Sequence, residues 1–240
     1  SLGITLAQTF HGEIVSADSR QVYRGLDIGA AKVTPEERAM VPHHLLDVVD
    51  PSETYTVARF QHEAIQAIDA ILARGHQPFL VGGSPHYIQA VVDHLDIPPI
   101  PPQPELRAQL EARPLTELLT ELEQLDPVCA ATIDRQNPRR VIRALEVCLV
   151  TGQPFSQQRR IAEPLYTCLL LAIDWPRPEL YTRIDQRVDE RMQQGMIEEV
   201  RHLLAQGLSH ERLQAFGLEY RFVSRLLCGE FPNESEMVQR

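Results

Sequence analysis

Four adjacent polar residues, Asp18, Ser19, Arg20 and Gln21, follow a short β-rich run at 13–17 and are the first candidates for chemistry. A carboxylate at the end of a strand can act as a general base toward a bound substrate. A glutamine offers a donor and an acceptor together, which suits the reading of an adenine edge. Helix capping or ordinary loop polarity explains the same residues, so the pattern alone leaves both interpretations open.

A second candidate is the triplet Gly82, Gly83 and Ser84, which follows the buried-strand pattern at 78–81. Paired glycines allow a ligand to approach the backbone closely, and Ser84 would add a hydroxyl contact. A tight turn explains two glycines equally well.

A third candidate is a group of arginines around the helix that is predicted to run from Pro138 to Gly152, namely Arg135, Arg139, Arg140 and Arg143. Cations in the first turns of a helix oppose its dipole, each at a cost of about 0.3–1 kcal/mol. An anion such as phosphate that docks at this end would account for their position. Ion pairing with the acidic helix predicted over 105–126 accounts for it equally well.

A fourth candidate is the row Arg183, Arg187 and Arg191, whose spacing places all three on one helix face. Acidic residues between them favour a solvated, salt-bridged surface, and a clamp for a diphosphate is the alternative. The nine histidines show no metal-ligand spacing, and we assign no metal to them.

The elements that must position these residues alternate between strand and helix patterns in the first half of the chain. Strand patterns at 13–17, 45–49 and 78–81 are interleaved with a helix predicted over 56–74. This order predicts α/β layering with a parallel sheet, in which ligands bind at the carboxyl ends of the strands. The first two candidate groups would then lie at the same edge of the sheet.

A cluster of prolines between residues 98 and 104 marks a boundary, because proline cannot continue a helix. The elements predicted beyond it are helices over 105–126 and 138–152, a strand over 165–173 and a long helix over 179–206. We therefore expect an α/β core formed by residues 1–103 and 161–240, with a mainly helical insertion domain at 104–160.

Composition excludes several classes of protein. With 23 Lys+Arg against 33 Asp+Glu, the net charge of −10 argues against a protein that binds nucleic acid over its whole surface. No apolar run approaches the ~18–20 residues of a membrane span, and no secretory signal is visible. Four widely spaced cysteines fit reduced thiols in the cytoplasm. Because the chain opens without Met inside the helical pattern Leu2, Leu6 and Phe10, we expect further sequence upstream.

Several stretches resemble one family, the tRNA dimethylallyltransferases, also called tRNA isopentenyltransferases. Residues 12–29, GEIVSADSRQVYRGLDIG, are similar to that family's signature G-E-I-[IV]-S-A-D-S-x-Q-V-Y-[RK]-x-[ML]-D-I-G. The similarity continues in order through further short motifs, which are AAK at 30–32, PHHLLD at 42–47, PRRVIRALE at 138–146, DW at 174–175 and RIDQRV at 183–188.

The resemblance implies transfer of a dimethylallyl group from dimethylallyl diphosphate to N6 of adenine 37, in the anticodon arm of tRNA. It implies a P-loop NTPase-like (nucleotide- and ATP-binding) α/β core with Mg²⁺ as cofactor, in a cytoplasmic, monomeric enzyme that contacts no membrane. Asp18 would be the catalytic base. The other residues that it implies for tRNA binding, with Asp18, are Ser19, Arg20, Gln21, Ser84, Arg139, Arg140, Val141, Ile142 and Arg143. Arg183 or Arg187 would contact the diphosphate.

Two departures from the family pattern matter. The Gly-rich phosphate loop that precedes the opening helix in this family is absent from the printed sequence, and the C-terminal basic helix is absent too. Pro85 stands where the family has a glycine, which removes one N–H group. We expect the chain to be part of a longer, active protein. The alternatives are an adenylate isopentenyltransferase that acts on free nucleotide, or a non-catalytic tRNA-binding descendant.

Overall fold

The computed structural model describes residues 1–98, 100–158, 160–161 and 163–239. The chain forms two compact units. The first, called the sheet unit below, comprises Ser1–Ile88 and Cys168–Arg240, and the second, called the helical unit, comprises Gln89–Thr167.

The strands are β1 (Gly12–Ser16), β2 (His43–His44), β3 (Gln77–Val81), β4 (Leu95–Asp96) and β5 (Arg160–Ile161). The helices before residue 112 are α1 (Leu2–Thr9), α2 (Pro35–Met40), α3 (Val57–Ala73), α4 (Pro85–Val92) and α5 (Pro104–Glu111). Those that follow up to residue 158 are α6 (Leu115–Leu125), α7 (Pro127–Thr132), α8 (Pro138–Thr151) and α9 (Phe155–Gln158). The last are α10 (Arg177–Gln193), α11 (Met196–Ala205), α12 (His210–Gln214), α13 (Leu218–Leu227) and α14 (Glu234–Val238).

The predicted parallel sheet is confirmed, with strand order β2-β1-β3. Ile14 of the central strand pairs with His43 on one side and with Phe79 on the other. Every residue of β1 is buried, as a strand covered on both faces requires. The sheet is shorter than the sequence predicts, since β2 ends at His44 and the predicted strand at 45–49 contributes only an isolated bridge from Val49 to Tyr23.

Local end signals predict two helices well. Thr56 caps α3 by accepting a hydrogen bond from the Arg59 N–H, as its hydroxyl type favours. Asn137 caps α8 in the same way, and α8 ends at Gly152, which takes the left-handed conformation with φ 68°.

The helical unit has its own core, built on the buried face of α8 and packed by leucines of α5 and α6. This unit extends beyond the expected insertion 104–160 on both sides. Two contacts explain the difference: β4 pairs antiparallel with β5, and the guanidinium of Arg143 donates to the Ile100 carbonyl. The backbone before residue 104 is therefore held by the helices that follow it.

The strand predicted at 165–173 is wrong. Residues 167–176 form no helix or strand, and Leu169, Leu170 and Ile173 are exposed. An apolar run becomes a strand only when a neighbouring backbone pairs with it, and no described strand does so here.

The long helix predicted over 179–206 is also wrong, because it is two helices. α10 ends at Gln193, and Gly195, at φ 100°, is the N-cap residue of α11. This left-handed conformation is accessible to glycine without strain. Within the described residues, no helix combines the length and apolar character that spanning a bilayer requires.

Candidate active site

The carboxyl ends of β1 and β3 meet, which brings the first two candidate groups together. The Ala17 N–H donates to the Val81 carbonyl at 2.8 Å, and the Ser84 N–H donates to the Ala17 carbonyl at 3.2 Å. A Cβ on Gly82 would lie 2.2 Å from the Ala17 oxygen, so this position requires glycine. The close approach of the two strand ends is thus the reason for the first glycine of the pair.

Asp18 lies at this junction with one carboxylate oxygen already oriented. Its Oδ1 accepts the backbone N–H groups of Arg20 at 2.8 Å and Gln21 at 3.4 Å. Its Oδ2 faces Gly83, where an added Cβ would still be 3.9 Å away, and no described residue donates to it. The turn therefore fixes the side chain and leaves one oxygen available to a substrate.

Ser84 binds the other side of the same turn, because its Oγ accepts the Ser19 N–H at 2.9 Å. Its hydroxyl proton is left to donate to a ligand. Pro85, the departure from the family pattern, opens α4, and the N–H groups of the next turn bond to the Ser84 carbonyl. A proline at the first helical position loses nothing, since that N–H has no partner within a helix.

The side chain of Gln21 is engaged within the protein at both ends of its amide. Nε2 donates to the carbonyls of Ala30 and Ala31, each at 3.1 Å, and Oε1 accepts the Ser16 hydroxyl at 2.8 Å. This amide ties the turn after β1 to the loop at 24–31, and only the second lone pair of Oε1 remains for an adenine.

Arg20 is half-buried beside Asp18, Tyr23 and Tyr87, and none of the described residues accepts a hydrogen bond from its guanidinium. Burial lowers the pKa of Arg20 below its usual value. Its Nε lies 3.8 Å from the position that a Cβ on Gly217 would occupy. This cation thus retains its donors for a ligand.

Sequence reasoning missed the residue that holds the loop at 24–31. The carboxylate of Glu199, on α11, accepts the backbone N–H groups of Asp27 at 2.9 Å, Ile28 at 2.7 Å and Gly29 at 3.2 Å. Tyr220 donates its hydroxyl to the same carboxylate at 2.7 Å. No local signal marks Glu199, because its partners lie about 170 residues away along the chain.

Lys32 anchors the other end of this loop. Its ammonium donates to the Tyr23 carbonyl at 2.6 Å and to the carboxylates of Asp27 and Asp47. Only 2% of the side chain is exposed. Lys32 is therefore a structural cation of the loop, with all three of its donors in use.

The arginines on and just before α8 divide between the two interpretations that the sequence left open. The single acidic helix predicted over 105–126 is wrong, because two helices, α5 and α6, occupy this stretch and Pro114 precedes the second. Arg135 pairs with Glu123 of α6 at 2.8 Å, and Arg143 pairs with Glu146 of its own helix. Arg139 and Arg140 are exposed in the first turn of α8, and no described residue pairs with either. Two uncommitted cations therefore remain at the helix end where free N–H groups favour an anion.

Two other members of this predicted group are buried. Val141 is fully buried and Ile142 is 6% exposed, both within the core of the helical unit. Their side chains hold α8 in place and are not accessible to RNA.

The row on α10 is less salt-bridged than its acidic neighbours suggest. Arg183 stacks on Trp175, with 4.4 Å from its Cζ to the ring centroid. Arg187 is exposed, and the described part of the chain offers it no acidic partner within salt-bridge distance. Arg191 is buried against Glu219. The row therefore presents two exposed cations and one structural one.

Two histidines beside the sheet, His44 and His76, hydrogen-bond to Glu13, which lies at the end of β1 opposite to Asp18. Buried Glu13 accepts hydrogen bonds from Arg74, His44 and His76 at 2.6–3.1 Å. The Arg74 hydrogen bond, more than offsetting burial, lowers the pKa of Glu13 to about 2. Among the described residues, no group of three or more His, Cys, Asp or Glu is placed to hold a metal ion.

Comparison with known proteins identifies the family of this chain. The family model described as IPP transferase matches residues 21–240. The chain belongs to the IPP transferase family. A tRNA dimethylallyltransferase of Thermomicrobium roseum is 48% identical over 241 residues, which covers 99% of this chain and 73% of that protein. One of Streptomyces coelicolor is 46% identical, with 95% and 74% covered.

Solved structures agree with this assignment to the IPP transferases. A tRNA isopentenylpyrophosphate transferase of Bacillus halodurans matches with a TM-score of 0.68 and 38% identity, over 98% of this chain and 75% of that one. A eukaryotic dimethylallyltransferase acting on tRNA matches with a TM-score of 0.77 and 28% identity, over 100% and 62%. The α/β fold class and the family expected from the sequence are confirmed.

Proposed function

We propose that the protein is a tRNA dimethylallyltransferase, which transfers a dimethylallyl group from dimethylallyl diphosphate to N6 of adenine 37 in the anticodon arm. The observation that carries the proposal is the geometry of Asp18, whose carboxylate is fixed by two N–H groups on one oxygen and is open on the other. The names of the relatives support the tRNA enzyme over the adenylate isopentenyltransferase alternative.

In the proposed reaction the N6 amine attacks the allylic carbon of the diphosphate. A C–N bond forms, the C–O bond breaks, and the diphosphate leaves with the bonding electron pair. Oδ2 of Asp18 takes the N6 proton, as a general base must lie within hydrogen-bond reach of the proton it removes. The Ser84 hydroxyl and the residues Ser19, Arg20 and Gln21 surround the target base, which must leave its stack to reach them.

The departing diphosphate develops negative charge, which cations around it stabilise. We assign this role to Arg187, with Arg183 beside it. Among the described residues, no group of three or more His, Cys, Asp or Glu side chains is placed to hold a metal ion. Mg²⁺ belongs to the proposal as an ion that arrives on the diphosphate, because Mg²⁺ in proteins is commonly held by substrate phosphates with few carboxylates. The P-loop character of the core, the cytoplasmic location and the monomeric state are parts of the same proposal.

The helical unit is proposed to bind the RNA. Arg139 and Arg140 of α8 would contact backbone phosphates, while Arg143, Val141 and Ile142 hold the helix that presents them.

The test is transfer of labelled dimethylallyl groups to an anticodon stem-loop that carries adenine 37. Asp18→Ala should lower turnover at least about 10²-fold, the low end of what a general base contributes, with RNA affinity unchanged. Asp50→Ala is the matched control, because Asp50 is exposed and, among the described residues, its carboxylate accepts hydrogen bonds only from Ser52 in its own turn. Undiminished turnover in the Asp18 variant would exclude the proposed base. If free AMP competes with the stem-loop on equal terms, the nucleotide enzyme is favoured instead.

A further inference from the structure

We infer that Glu199 is a positioning residue of the active site, which acts on Asp18 through the loop at 24–31 and the amide of Gln21; this inference rests on the proposed function. The four hydrogen bonds to its carboxylate use the groups of two chain segments: three consecutive N–H groups of the loop and the hydroxyl of Tyr220. A carboxylate is suited to this role because it offers about four acceptor positions and no donor.

Hydrogen bonds and close packing hold the loop at its contact with α11 and α13. Three N–H groups in succession converge on one side chain, and the Tyr220 ring packs directly on Gly29. A Cβ at Gly29 would lie 2.5 Å from the ring carbon that bears the hydroxyl. Burial raises the pKa of Tyr220, so its hydroxyl remains a donor at any physiological pH.

The Gln21 amide connects the loop to the site. The two residues that follow Gly29, Ala30 and Ala31, provide the carbonyl oxygens to which the Gln21 amide donates. With both donors fixed there, the amide orientation is set, and its oxygen faces the Ser16 hydroxyl at the end of β1.

Two backbone N–H groups connect Gln21 and its neighbour to the proposed catalytic carboxylate. The N–H of Gln21, with that of its neighbour Arg20, donates to Oδ1 of Asp18. A shift of the loop would therefore move Gln21 and release the Asp18 side chain from its orientation. Misplacement of a catalytic group by about 1 Å can cost about 10²-fold in rate, even when the substituted residue lies far from the reacting atoms.

The variant that tests the inference is Glu199→Gln. A glutamine keeps the size of the side chain but replaces one acceptor oxygen with an NH₂ donor, which would face N–H groups of the loop. Tyr220→Phe is the milder second variant, because it removes one of the four hydrogen bonds and leaves the carboxylate. Glu198→Gln is the matched control on the same helix, since Glu198 is exposed and pairs only with Arg201.

Turnover of the stem-loop is measured per folded molecule, below the unfolding temperature of each variant. We expect Glu199→Gln to lower kcat about 10-fold or more with the KM for dimethylallyl diphosphate unchanged, Tyr220→Phe to lower it less, and Glu198→Gln to leave it unaltered. If Glu199→Gln loses activity only because it unfolds, its kcat per folded molecule will equal that of the wild type. That result would overturn the inference.

Combination with Gln21→Leu separates a positioning role from a structural one. If Glu199 acts through Gln21, the double variant should lose no more activity than the worse single variant, because both changes break the same connection. Losses that multiply would contradict the inference.

Hydrogen exchange provides a readout independent of activity. Glu199→Gln should increase exchange at the N–H groups of Arg20 and Gln21, and unchanged protection there would contradict the inference. If the wild-type protein itself transfers nothing to the stem-loop, the proposed function fails, and this exchange measurement still tests the connection from Glu199 to Asp18.

Discussion

The helices α8 and α10 both carry a row of arginines, and they differ in how the rest of the helix is supported. In each row one arginine is held by a glutamate, Arg143 by Glu146 and Arg191 by Glu219. The opposite face of α8 is buried in a core. The first three turns of α10 are exposed, including its apolar residues Leu180 and Tyr181. The arginines of α8 therefore lie on a helix whose opposite face is buried, whereas Arg183 and Arg187 lie on an exposed part of α10.

The difference indicates different tasks for the remaining cations. A supported pair such as Arg139 and Arg140 can present fixed charges to the phosphates of a folded RNA. Arginines on an exposed helix can adjust to a small anion whose charge changes during a reaction. Each of the following predictions tests one side of this contrast.

The largest effect is expected on turnover at α10. Arg187→Ala should lower kcat about 10²- to 10³-fold with little change in RNA affinity, because a cation at the departing diphosphate acts mainly in the transition state. Single-turnover transfer to the stem-loop, together with RNA binding by titration, measures both quantities. Arg201→Ala is the control, an exposed arginine of α11 whose partner is Glu198. A variant that loses RNA affinity and keeps kcat would reverse the assignment.

The next largest effect is on stability and concerns the buried face of α8. Leu145→Ala should lower the free energy of unfolding by about 2–5 kcal/mol, since Leu145 is fully buried and the change leaves a cavity. Leu180→Ala on α10 should cost less than about 1 kcal/mol, because that side chain is 39% exposed. Denaturant titration of the two variants measures both losses in the free energy of unfolding. Equal losses would mean that α10 packs as firmly as α8.

A smaller effect is expected on RNA affinity. Arg139→Ala with Arg140→Ala should weaken stem-loop binding about 10-fold and reduce the slope of log affinity against log salt by about 1.4–1.8, as the loss of two phosphate contacts predicts. Binding measured over a range of salt gives both values. Arg135→Ala serves for comparison, because that side chain is already paired with Glu123. A salt slope that does not change would remove these arginines from the RNA interface.

A pH-dependent effect is expected on the stability of the helical unit. Burial alone would raise the pKa of Glu146, but hydrogen bonds from Arg107, the Gln103 N–H and Arg143 lower it to about 2 from an ordinary 4.5. A carboxylate with a lowered pKa stabilises the fold fully above its unfolded pKa and loses that contribution as the pH falls through its folded pKa. The stability difference between wild type and Glu146→Gln should therefore be constant above pH 4.5 and shrink toward pH 2. Glu111→Gln, an exposed change on α5, should show no such trend.

What the sequence could predict was local. Thr56 and Asn137 mark helix starts because a cap acts on the N–H groups of the next turn, and Gly152 marks an end by its conformation. The meeting of the turn at 18–21 with Ser84, where the Ser19 N–H donates to the Ser84 Oγ, also follows from the sequence, since parallel strands bring their carboxyl ends to one edge.

The wrong predictions and the missed residue involve partners that are distant in the sequence. The apolar run at 165–173 carries a strand pattern, yet pairing is a property of two segments and cannot be read from one. The amphipathic period continues through Gly195, so the end of α10 left no signal in the spacing. The carboxylate of Glu199 meets its loop only after the chain has passed through the helical unit, and no local pattern connects the Gln21 amide to the carbonyls of Ala30 and Ala31.

The reactivity of Lys32 toward acylating reagents reports the opening of the loop beside the proposed active site. It is the sole lysine among 23 basic side chains, and its ammonium is enclosed by three acceptors. Reagents that acylate lysine can reach it only when the loop opens, so the rate of modification at this one side chain measures how often that opening occurs. A substrate that closes the site should slow the reaction, and a variant that loosens the loop should accelerate it, without any label having to be introduced.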